Sequence, residues 1–492
     1  MSYAAAIDQL SAMTPELFTQ PGHPRRKFSL NEIGILLAAL GDPHRRFPSL
    51  LIAGTNGKGS TASTLASILT ASGQRAGLYT SPHLTRPNER IRVNGVEIKD
   101  DGFASLYFRV HDCAQQLVLD RKLDQLPSFF ETLTAMAFLH FAEVGIDIAV
   151  LEVGMGGRLD ATNIVDPLLS IITDISLDHT EWLGPTIAAI AREKAGVLRA
   201  GGTLITLPQH PEANEVLGEI ATELGVSAVS AVPYMPQSLP RSATGKEGYG
   251  TQPVQPKSAD KTGASAPEGI SYSTQVLGET IEVASPLQGA HQQRNIALAI
   301  AAAVELATHQ GFPITPASIA SGIRTTHWPA RLEVVQLHTS TELAPPQVVV
   351  LDVAHNPAGA WALRAALRSL LDLDGPDAQP PTLIFSCLRD KPIAEMAQIL
   401  FPIFDRVIFA PIHSPRATPM ADLLAAAAST GTPATAASSV AEALELAESI
   451  ASASTKSARP ARTVPRAVVV AGSVYLVGEA RALLLAGAGV PA

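Results

Sequence analysis

One glycine-rich segment carries the clearest sign of chemistry in this sequence. An apolar run at 51–53 leads into Gly54-Thr55-Asn56-Gly57-Lys58-Gly59-Ser60. Backbone N–H groups of such a turn approach a polyphosphate closely, and Lys58 adds a positive charge. The spacing differs from the common phosphate loop, since Gly54 lies three residues before Gly57 instead of five and Gly59 replaces the usual hydroxyl residue. The segment predicts nucleotide binding, with a plain glycine turn as the alternative.

An acid and an imidazole follow two further apolar runs. Glu152 lies near the end of one run, where a buried carboxylate must meet a cation or a cluster of donors. Mg²⁺ beside a triphosphate would satisfy it, and Arg158 or backbone N–H groups are the alternative. Asp178 and His179 follow the next run. His179 is therefore a candidate ligand or proton-handling group, although a lone histidine in a polar loop often has no such role.

A helical pattern over 185–196 directs one lysine towards the protein. Ile187, Ile190 and Ala191 form an apolar stripe, and Lys194 continues it. Its ammonium needs a partner or a chemical change. An ammonium cannot ligate a metal, whereas a lysine that has reacted with CO₂ carries a carbamate and can. The alternative is a lysine whose stem is buried and whose charge reaches solvent.

Three other segments carry candidate polar groups. Ser81 lies in a polar stretch, and Ser128 with Glu131 has the spacing of a helix capping box. Asp352 and His355 follow an apolar run, as a ligand-facing loop would.

Short apolar runs alternate with helical patterns and glycine turns in the first half of the chain. Such runs are typical of parallel strands that are covered on both faces; they lie at 49–53, 146–153, 168–175 and 203–207. Helical patterns at 60–71 and 131–144 lie between them. The pattern predicts a doubly wound α/β domain, in which ligands bind beyond the carboxyl ends of the strands.

A second set of strand-like runs predicts a second, smaller α/β domain. These runs lie at 348–353, 382–387, 406–410 and 467–471, after a helical pattern at 288–305. We place the boundary near residue 330, which gives domains of 1–329 and 330–492. The segment 232–274 is rich in Pro, Ser, Gly, Lys and Thr and is predicted to be an exposed, disordered insertion. Two loose loops, 372–381 and 451–465, are predicted to be solvated.

Composition limits the function classes. A chain of 492 residues with 46% hydrophobic and 16% charged residues indicates a globular protein with two domains. The net charge of −9 disfavours nucleic acid or an anionic membrane as a partner. No signal peptide or membrane-spanning run is evident, so a cytoplasmic protein is expected. The two cysteines, Cys113 and Cys387, suggest neither a disulfide framework nor a zinc site.

Taken together, the motifs resemble folylpolyglutamate synthase/dihydrofolate synthase of the Mur ligase superfamily. Members of this superfamily are ATP-dependent ligases that form amide bonds. The resemblance runs in order through 54–60, 80–84, 129–131, 151–163, 178–179, 192–196, 291–295, 329–333, 352–357 and 472–478. It implies a P-loop ATPase domain with a doubly wound parallel sheet, a smaller Rossmann-like domain, and a cleft between them that closes on substrates.

The resemblance also implies roles for individual residues. It assigns ATP binding to Gly54, Thr55, Asn56, Gly57, Lys58, Gly59, Ser60, Asn295, Arg331 and Asp352. It assigns Mg²⁺ binding to Ser81, Glu152 and His179, with a second Mg²⁺ supported by Lys194 as its carbamate. It assigns contacts with a pterin substrate to Ser128, Phe129, Phe130, Glu131, Leu159, Asp160 and Ala161. The candidate catalytic residues are Lys58, Lys194, His179 and His355.

The implied reaction transfers the ATP γ-phosphoryl group to a carboxylate of dihydropteroate or of a reduced folate, and L-glutamate then attacks the acyl phosphate. A monomer with two Mg²⁺ ions and a candidate monovalent cation is expected. A cell-wall Mur ligase is one alternative, but about fifty residues precede Gly54, too few for the UDP-binding domain of those enzymes. A nucleotide-binding regulatory switch that forms no amide bond is the other.

Overall fold

Two mainly parallel sheets organise the chain. The structure is a computed structural model, which describes residues 2–13, 29–236, 269–337, 347–375, 378–455 and 467–487. Within these residues, an eight-stranded sheet precedes a six-stranded sheet, and a two-stranded hairpin lies between them in sequence. This arrangement confirms the predicted doubly wound domain followed by a smaller α/β domain.

The larger sheet has six parallel strands and two antiparallel strands at one edge. Its strands are β1 (Ser49–Ala53), β2 (Ala76–Tyr79), β3 (Ile91–Val93), β4 (Val96–Glu97), β5 (Ile148–Glu152), β6 (Leu169–Ile172), β7 (Thr203–Thr206) and β8 (Ser227–Ser230). Their spatial order is β4-β3-β2-β5-β1-β6-β7-β8. All four apolar runs predicted in this half contain a strand.

Helices cover both faces of this sheet. They are α1 (Tyr3–Ala12), α2 (Leu30–Ala39), α3 (Lys58–Ala71), α4 (Asp100–Leu119), α5 (Phe129–Val144), α6 (Thr180–Leu183), α7 (Ile187–Ala195), α8 (Pro211–Glu223), α9 (His291–His309) and α10 (Pro316–Arg324). Alternate residues of β1 supply two separate cores: Leu51 packs in one with Phe138 of α5, and Leu50 in the other with Ile300 of α9. A strand buried on both faces favours apolar residues at successive positions, which explains the apolar run from Leu50 to Ala53.

The segment after β8 differs from its prediction. Val232–Tyr234 form a short 3₁₀ helix, and β9 (Ile270–Val276) pairs with β10 (Glu279–Ser285) in an antiparallel hairpin. Val276 and Val283 pack into the core that contains Ile300. The prediction of disorder over 232–274 is thus wrong at both ends of the segment, because alternate apolar residues of β9 give the hairpin a buried face. Residues 237–268 lie outside the described residues.

The smaller sheet has strand order β11-β12-β16-β13-β14-β15, with only β11 antiparallel to its neighbour. Its elements are β11 (Glu333–Leu337), β12 (Gln347–Asp352), α11 (Pro357–Leu370), β13 (Thr382–Phe385), α12 (Ile393–Leu400), β14 (Arg406–Phe409), α13 (Met420–Thr430), β15 (Ala434–Ala436), α14 (Val440–Thr455), β16 (Val468–Ala471) and α15 (Val474–Gly487). The prediction of a loop over 451–465 is wrong at its start, because residues 451–455 belong to α14. Residues 456–466 lie outside the described residues. Across the described ranges, no helix combines the length and apolar character needed to cross a bilayer.

Helix α3, which begins at Lys58 of the phosphate loop, packs closely against α10. A Cβ added at Gly322 of α10 would lie 2.4 Å from Cα of Ile68 in α3, so the two backbones leave no room for a side chain. We expect Gly322→Ala to lower the free energy of unfolding by about 1–3 kcal/mol, because the helices must separate. Gly218→Ala in α8 is the control: nothing lies within 4 Å of its added Cβ, and the gain in helix propensity should stabilise slightly. Urea denaturation of both variants measures the difference, and equal stabilities would contradict the packing.

Candidate active site

The glycine-rich segment joins the carboxyl end of β1 to the start of α3, as predicted. Its N–H groups at Thr55 and Asn56 donate to the carbonyl of Asp174, 2.8 and 3.2 Å away, which ties the turn to the segment after β6. Gly54 and Gly57 have φ angles of 148° and 90°, which only glycine adopts easily. Lys58 donates from Nζ to the carbonyls of Gly54 and Thr55, at 3.1 and 3.2 Å. The ammonium therefore lies over the turn, where a phosphate group would meet it.

An indole explains why glycine follows the lysine. A Cβ at Gly59 would lie 2.7 Å from Cζ2 of Trp328, so the ring occupies the space that a hydroxyl residue would need. A Cβ at Gly57 would lie 2.1 Å from Oδ1 of Asn295, which places that predicted ATP ligand directly against the turn. The presence of glycine at position 59, one of the two departures from the common phosphate loop, is thus a packing requirement.

Glu152, the last residue of β5, is buried and adjoins the Ser81 segment. Its Oε2 accepts the N–H of Ser81 at 3.1 Å. Burial raises the pKa of Glu152, and the charge of Lys58 opposes that rise. Of the two alternative partners, a backbone N–H is present, since Ser81 supplies it, whereas Arg158 is not: its guanidinium pairs with Glu193 at 3.0 Å and is half exposed. A buried carboxylate beside a serine offers oxygen ligands of the kind that Mg²⁺ prefers.

Lys194 is buried, and its ammonium does not reach solvent. Lys194 is 4% exposed, and its Nζ donates to the carbonyl of Gly54 at 2.6 Å. Burial, reinforced by the charge of Lys58, lowers the pKa of Lys194 to about 7. The helical stripe therefore predicted the direction of this side chain correctly, and the solvent-reaching alternative is excluded.

Asp178 connects the first domain to the second. Its carboxylate accepts from Nζ of Lys391 at 2.6 Å and from Nδ2 of Asn356 at 3.1 Å, and Nε2 of His355 lies 3.7 Å away. The side chains of Lys391 and Asp178 are 5% and 8% exposed. Burial opposes the charge of Asp178, yet interactions with His179 and Lys391 hold the pKa of its carboxyl below the ordinary value. Removing either partner of such a buried ion pair would leave an uncompensated buried charge and lower the stability of the fold.

Asn356 also contacts the phosphate loop. Its amide exchanges two hydrogen bonds with the amide of Asn56, at 3.0 and 3.3 Å. Lys391 was not predicted as a site residue; it lies in the loop between β13 and α12, past the carboxyl end of the strand. The rule that polar residues after apolar strands face the ligand could have found it.

His179 and His355 both lie near Asp178. Burial, together with the charge of Lys391, lowers the pKa of His179 to about 3 and that of His355 to about 4. Both imidazoles are therefore neutral at pH 7. Within the described residues, no group of three or more His, Cys, Asp or Glu side chains is arranged to hold a metal ion.

Two predicted ATP ligands of the second domain lie beside each other. The carboxylate of Asp352 accepts the N–H groups of Leu332 and Ala354, at 2.9 and 2.8 Å. Burial lowers the pKa of Arg331, while the charges of Asp352 and Glu152 oppose that change. Arg331 thus faces acids from both domains.

The predicted pterin residues surround a small cavity of about 120 Å³. Six of the seven line it: Ser128, Phe130, Glu131, Leu159, Asp160 and Ala161. Ser128 also caps α5, since its N–H donates to Glu131 at 2.7 Å and its Oγ accepts the N–H of Glu131 at 3.2 Å. The capping-box interpretation is therefore confirmed, and it does not compete with a place in the cavity wall.

A larger cleft of about 650 Å³ lies between the domains. Its wall includes Phe129, Ser81, His179, Arg331, His355 and Lys391. Phe130 and Met155 line both spaces, so the small cavity adjoins the cleft.

Both sheet-containing parts of the chain are similar in sequence to known proteins. Residues 52–229 match the Mur ligase middle domain, and residues 330–474 match the glutamate ligase domain of Mur ligases. The folylpolyglutamate synthase of Lacticaseibacillus casei is 33% identical over 455 residues, covering 92% of this chain and 93% of that protein. The dihydrofolate synthase/folylpolyglutamate synthase of Bacillus subtilis (strain 168) is 35% identical over 406 residues, covering 82% of this chain and 86% of that protein.

Solved structures extend the similarity to the whole fold. Folylpolyglutamate synthase of Mycobacterium tuberculosis, complexed with ADP and AMPPCP, superposes with a TM-score of 0.80 at 32% identity, covering 98% of this chain and 99% of that one. E. coli FolC in complex with DHPP and ADP gives a TM-score of 0.75 at 28% identity, covering 99% of each chain. The chain therefore belongs to the folylpolyglutamate synthase/dihydrofolate synthase family of Mur ligases.

Proposed function

We propose that this chain is an ATP-dependent ligase that joins L-glutamate to dihydropteroate and to the γ-carboxylate of reduced folates. Membership of the family supports glutamate ligation to folate, and the double acceptor range is the further step. The observation that carries the proposal is the pair of contacts made by Asn356, which donates to Asn56 in the phosphate loop and to Asp178. It brings a nucleotide-binding turn to a cleft large enough for a second substrate.

The proposed chemistry has two steps. A carboxylate oxygen of the acceptor attacks the γ-phosphorus of ATP, the bond to the β,γ-bridging oxygen breaks, and ADP leaves. The amine of L-glutamate then attacks the acyl phosphate, inorganic phosphate leaves, and the amine loses a proton. The first step joins two anions, so catalysis depends on neutralising charge. Lys58 supplies a fixed positive charge for it.

We assign one Mg²⁺ to Ser81, Glu152 and His179, and a second to Lys194 as its carbamate. The buried Glu152 carboxylate and the neutral His179 imidazole suit a cation. Bound Mg²⁺ would neutralise the transferring phosphoryl group. Lys194 is suited to carbamylation because its amine is enclosed: the neutral nitrogen bonds to CO₂, and one proton is released.

We assign the acceptor ring to the small cavity, with Phe129 at its junction with the cleft. Asn295, Arg331 and Asp352 would hold the nucleotide, with the phosphate loop from Gly54 to Ser60. His355 lies in the cleft beside Asp178, where it is a candidate acceptor for the proton of the incoming amine. The E. coli relative in complex with DHPP and ADP supports a small-molecule acceptor and a nucleotide bound together.

We further propose a monomer with two domains, 1–329 and 330–492, and a monovalent cation as an additional ligand. The last helix of the first part ends at Arg324 and the first strand of the second begins at Glu333, which supports a boundary between them.

One assay separates the ligase from a regulatory switch. With ATP and Mg²⁺ present, we expect ADP release to require L-glutamate together with dihydropteroate or tetrahydrofolate, because the acyl phosphate needs both partners to complete turnover. Coupled detection of ADP with each acceptor in turn measures this dependence. ADP release that ignores both acceptors would favour the switch.

A further inference from the structure

A short segment after β6 holds the phosphate loop by hydrogen bonds. The carbonyl of Asp174 accepts the N–H groups of Thr55 and Asn56. Ser176 and Thr55 add a reciprocal pair: the N–H of Ser176 donates to Oγ1 of Thr55, and the carbonyl of Ser176 accepts that hydroxyl, both at 3.1 Å. The position of the loop therefore depends on the position of this segment.

An arginine of α9 fixes the side chain of Asp174. Nε of Arg294 donates to both carboxylate oxygens of Asp174, at 2.9 and 3.0 Å, and Nη2 donates to Oδ1 at 2.6 Å. Nη2 also donates to the carbonyl of Pro208, which follows β7, at 2.9 Å. A forked guanidinium–carboxylate contact restricts the orientation of both groups more than a single hydrogen bond does. Arg294 thus joins α9 to two segments that follow neighbouring strands.

The same turn of α9 also contacts the phosphate loop directly. A Cβ at Gly57 would lie 2.1 Å from Oδ1 of Asn295, the residue after Arg294. Nδ2 of Asn295 donates to Oε1 of Gln292 at 2.8 Å, which holds the amide in place. Helix α9 therefore meets the loop twice, once through Asn295 and once through Asp174.

Two N–H groups of the loop are committed to this arrangement. Those of Thr55 and Asn56 donate to Asp174, whereas α3 begins at Lys58, and the first N–H groups of a helix have no partner within it. Phosphate oxygens would therefore meet the N–H groups from Gly57 onward. The direction of these groups follows from how the preceding turn is held, so the contact with Asp174 sets the geometry of the phosphate site.

The ion pair itself is partly open to solvent. The side chains of Arg294 and Asp174 are 29% and 42% exposed. A pair with this exposure contributes little to the stability of the whole fold. Its carboxylate, however, belongs to the residue whose carbonyl holds the loop, so we expect its loss to change nucleotide affinity more than global stability.

We propose that Arg294 is a positioning residue for the nucleotide: through Asp174 it holds the phosphate loop in the orientation that binds the phosphates of ATP. This inference rests on the proposed function and adds a residue pair to it. Arg294 acts without touching the nucleotide, and no covalent step is involved.

The test measures ADP binding by isothermal titration calorimetry in the presence of Mg²⁺, which needs no turnover. Arg294→Met keeps the apolar stem and removes every donor, and Asp174→Ala removes the carboxylate but keeps the backbone carbonyl. Each should raise the Kd of ADP about five- to tenfold. The double variant should raise it no further, because both changes break the same contact. Arg294→Lys keeps the charge without the fork and should give an intermediate Kd.

Further measurements separate positioning from a general loss of structure. The KM of ATP should rise in each variant, whereas the KM of L-glutamate and the Tm should stay near their wild-type values. The ratio of the Kd of Arg294→Met to that of the wild type should shrink in about 1 M salt, which screens a partly exposed ion pair. Arg109→Met is the matched control: Arg109 of α4 pairs with Glu143 of α5, with side chains 50% and 45% exposed, and its loss should leave the Kd of ADP unchanged.

The outcomes are distinct. Equal Kd values for the wild type, Arg294→Met and Asp174→Ala overturn the inference. Additive losses in the double variant show that Arg294 acts by a route other than Asp174 and overturn it as well. A wild type that binds no ADP removes the proposed function, whereas unchanged variants of an active ligase remove only the positioning role. If Arg294→Met does not fold, Asp174→Ala decides.

Discussion

Replacing Lys58 with alanine is expected to lower turnover at least about 100-fold, equivalent to about 3 kcal/mol of transition-state stabilisation. The ammonium lies over the phosphate loop, 3.1 Å from the carbonyl of Gly54, and no other lysine of the loop can replace it. Phosphoryl transfer from ATP to a carboxylate brings two anions together, so the loss of a fixed positive charge acts on the transition state directly. Steady-state ADP release at saturating acceptor measures the effect.

Lys122→Ala is a suitable control because this lysine is 62% exposed and pairs only with the nearby Asp120 in the contacts described. It should retain wild-type turnover. Thermal unfolding of both variants shows whether the fold is intact. A folded Lys58→Ala protein with near-normal turnover would exclude the phosphate-loop role.

Lys194→Ala is expected to cause a loss of similar size, at least about 100-fold, because it removes the group proposed to carry the carbamate. The enclosed position of the amine, with Nζ 2.6 Å from the carbonyl of Gly54, leaves a cavity in the variant that a small carboxylic acid can enter. Formate or acetate should therefore restore part of the activity. Turnover as a function of added acid, compared with the same additions to Lys58→Ala, measures the rescue.

Mass spectrometry of the intact wild-type protein supplies the second measurement, since the carbamate adds the mass of one CO₂ to the chain. Fully active protein with an unmodified Lys194, together with a variant that no acid revives, would refute the carbamate. Lys194→Ala would then report only the loss of a buried cation.

The sequence was most informative where one local pattern determined the structure. Nearly continuous apolar runs located the central strands, because a strand covered on both faces favours apolar residues at successive positions. The apolar stripe of α7 correctly directed Lys194 inward. Ser128 and Glu131 had the spacing of a capping box and form one.

Contacts between distant segments were harder to predict. Trp328 lies against Gly59 across more than half the chain, and no local pattern in either segment signals the other. Lys391 reaches Asp178 from the second domain, so its partner becomes evident only when the two sheets are placed together. The hairpin of β9 and β10 was missed because its first strand adjoins a long segment of polar composition.

The hydrogen bonds between Asn56 and Asn356 have a thermodynamic consequence. The amide of Asn356 belongs to the second domain and contacts Asn56 in the phosphate loop. Nucleotide binding and the docking of that domain are therefore energetically linked. The coupling is reciprocal: if a bound nucleotide changes the docking equilibrium by a given factor, docking changes the affinity for the nucleotide by the same factor. Binding isotherms for ADP measured with the wild type and with Asn356→Ala would show how far this contact changes the dissociation constant of ADP.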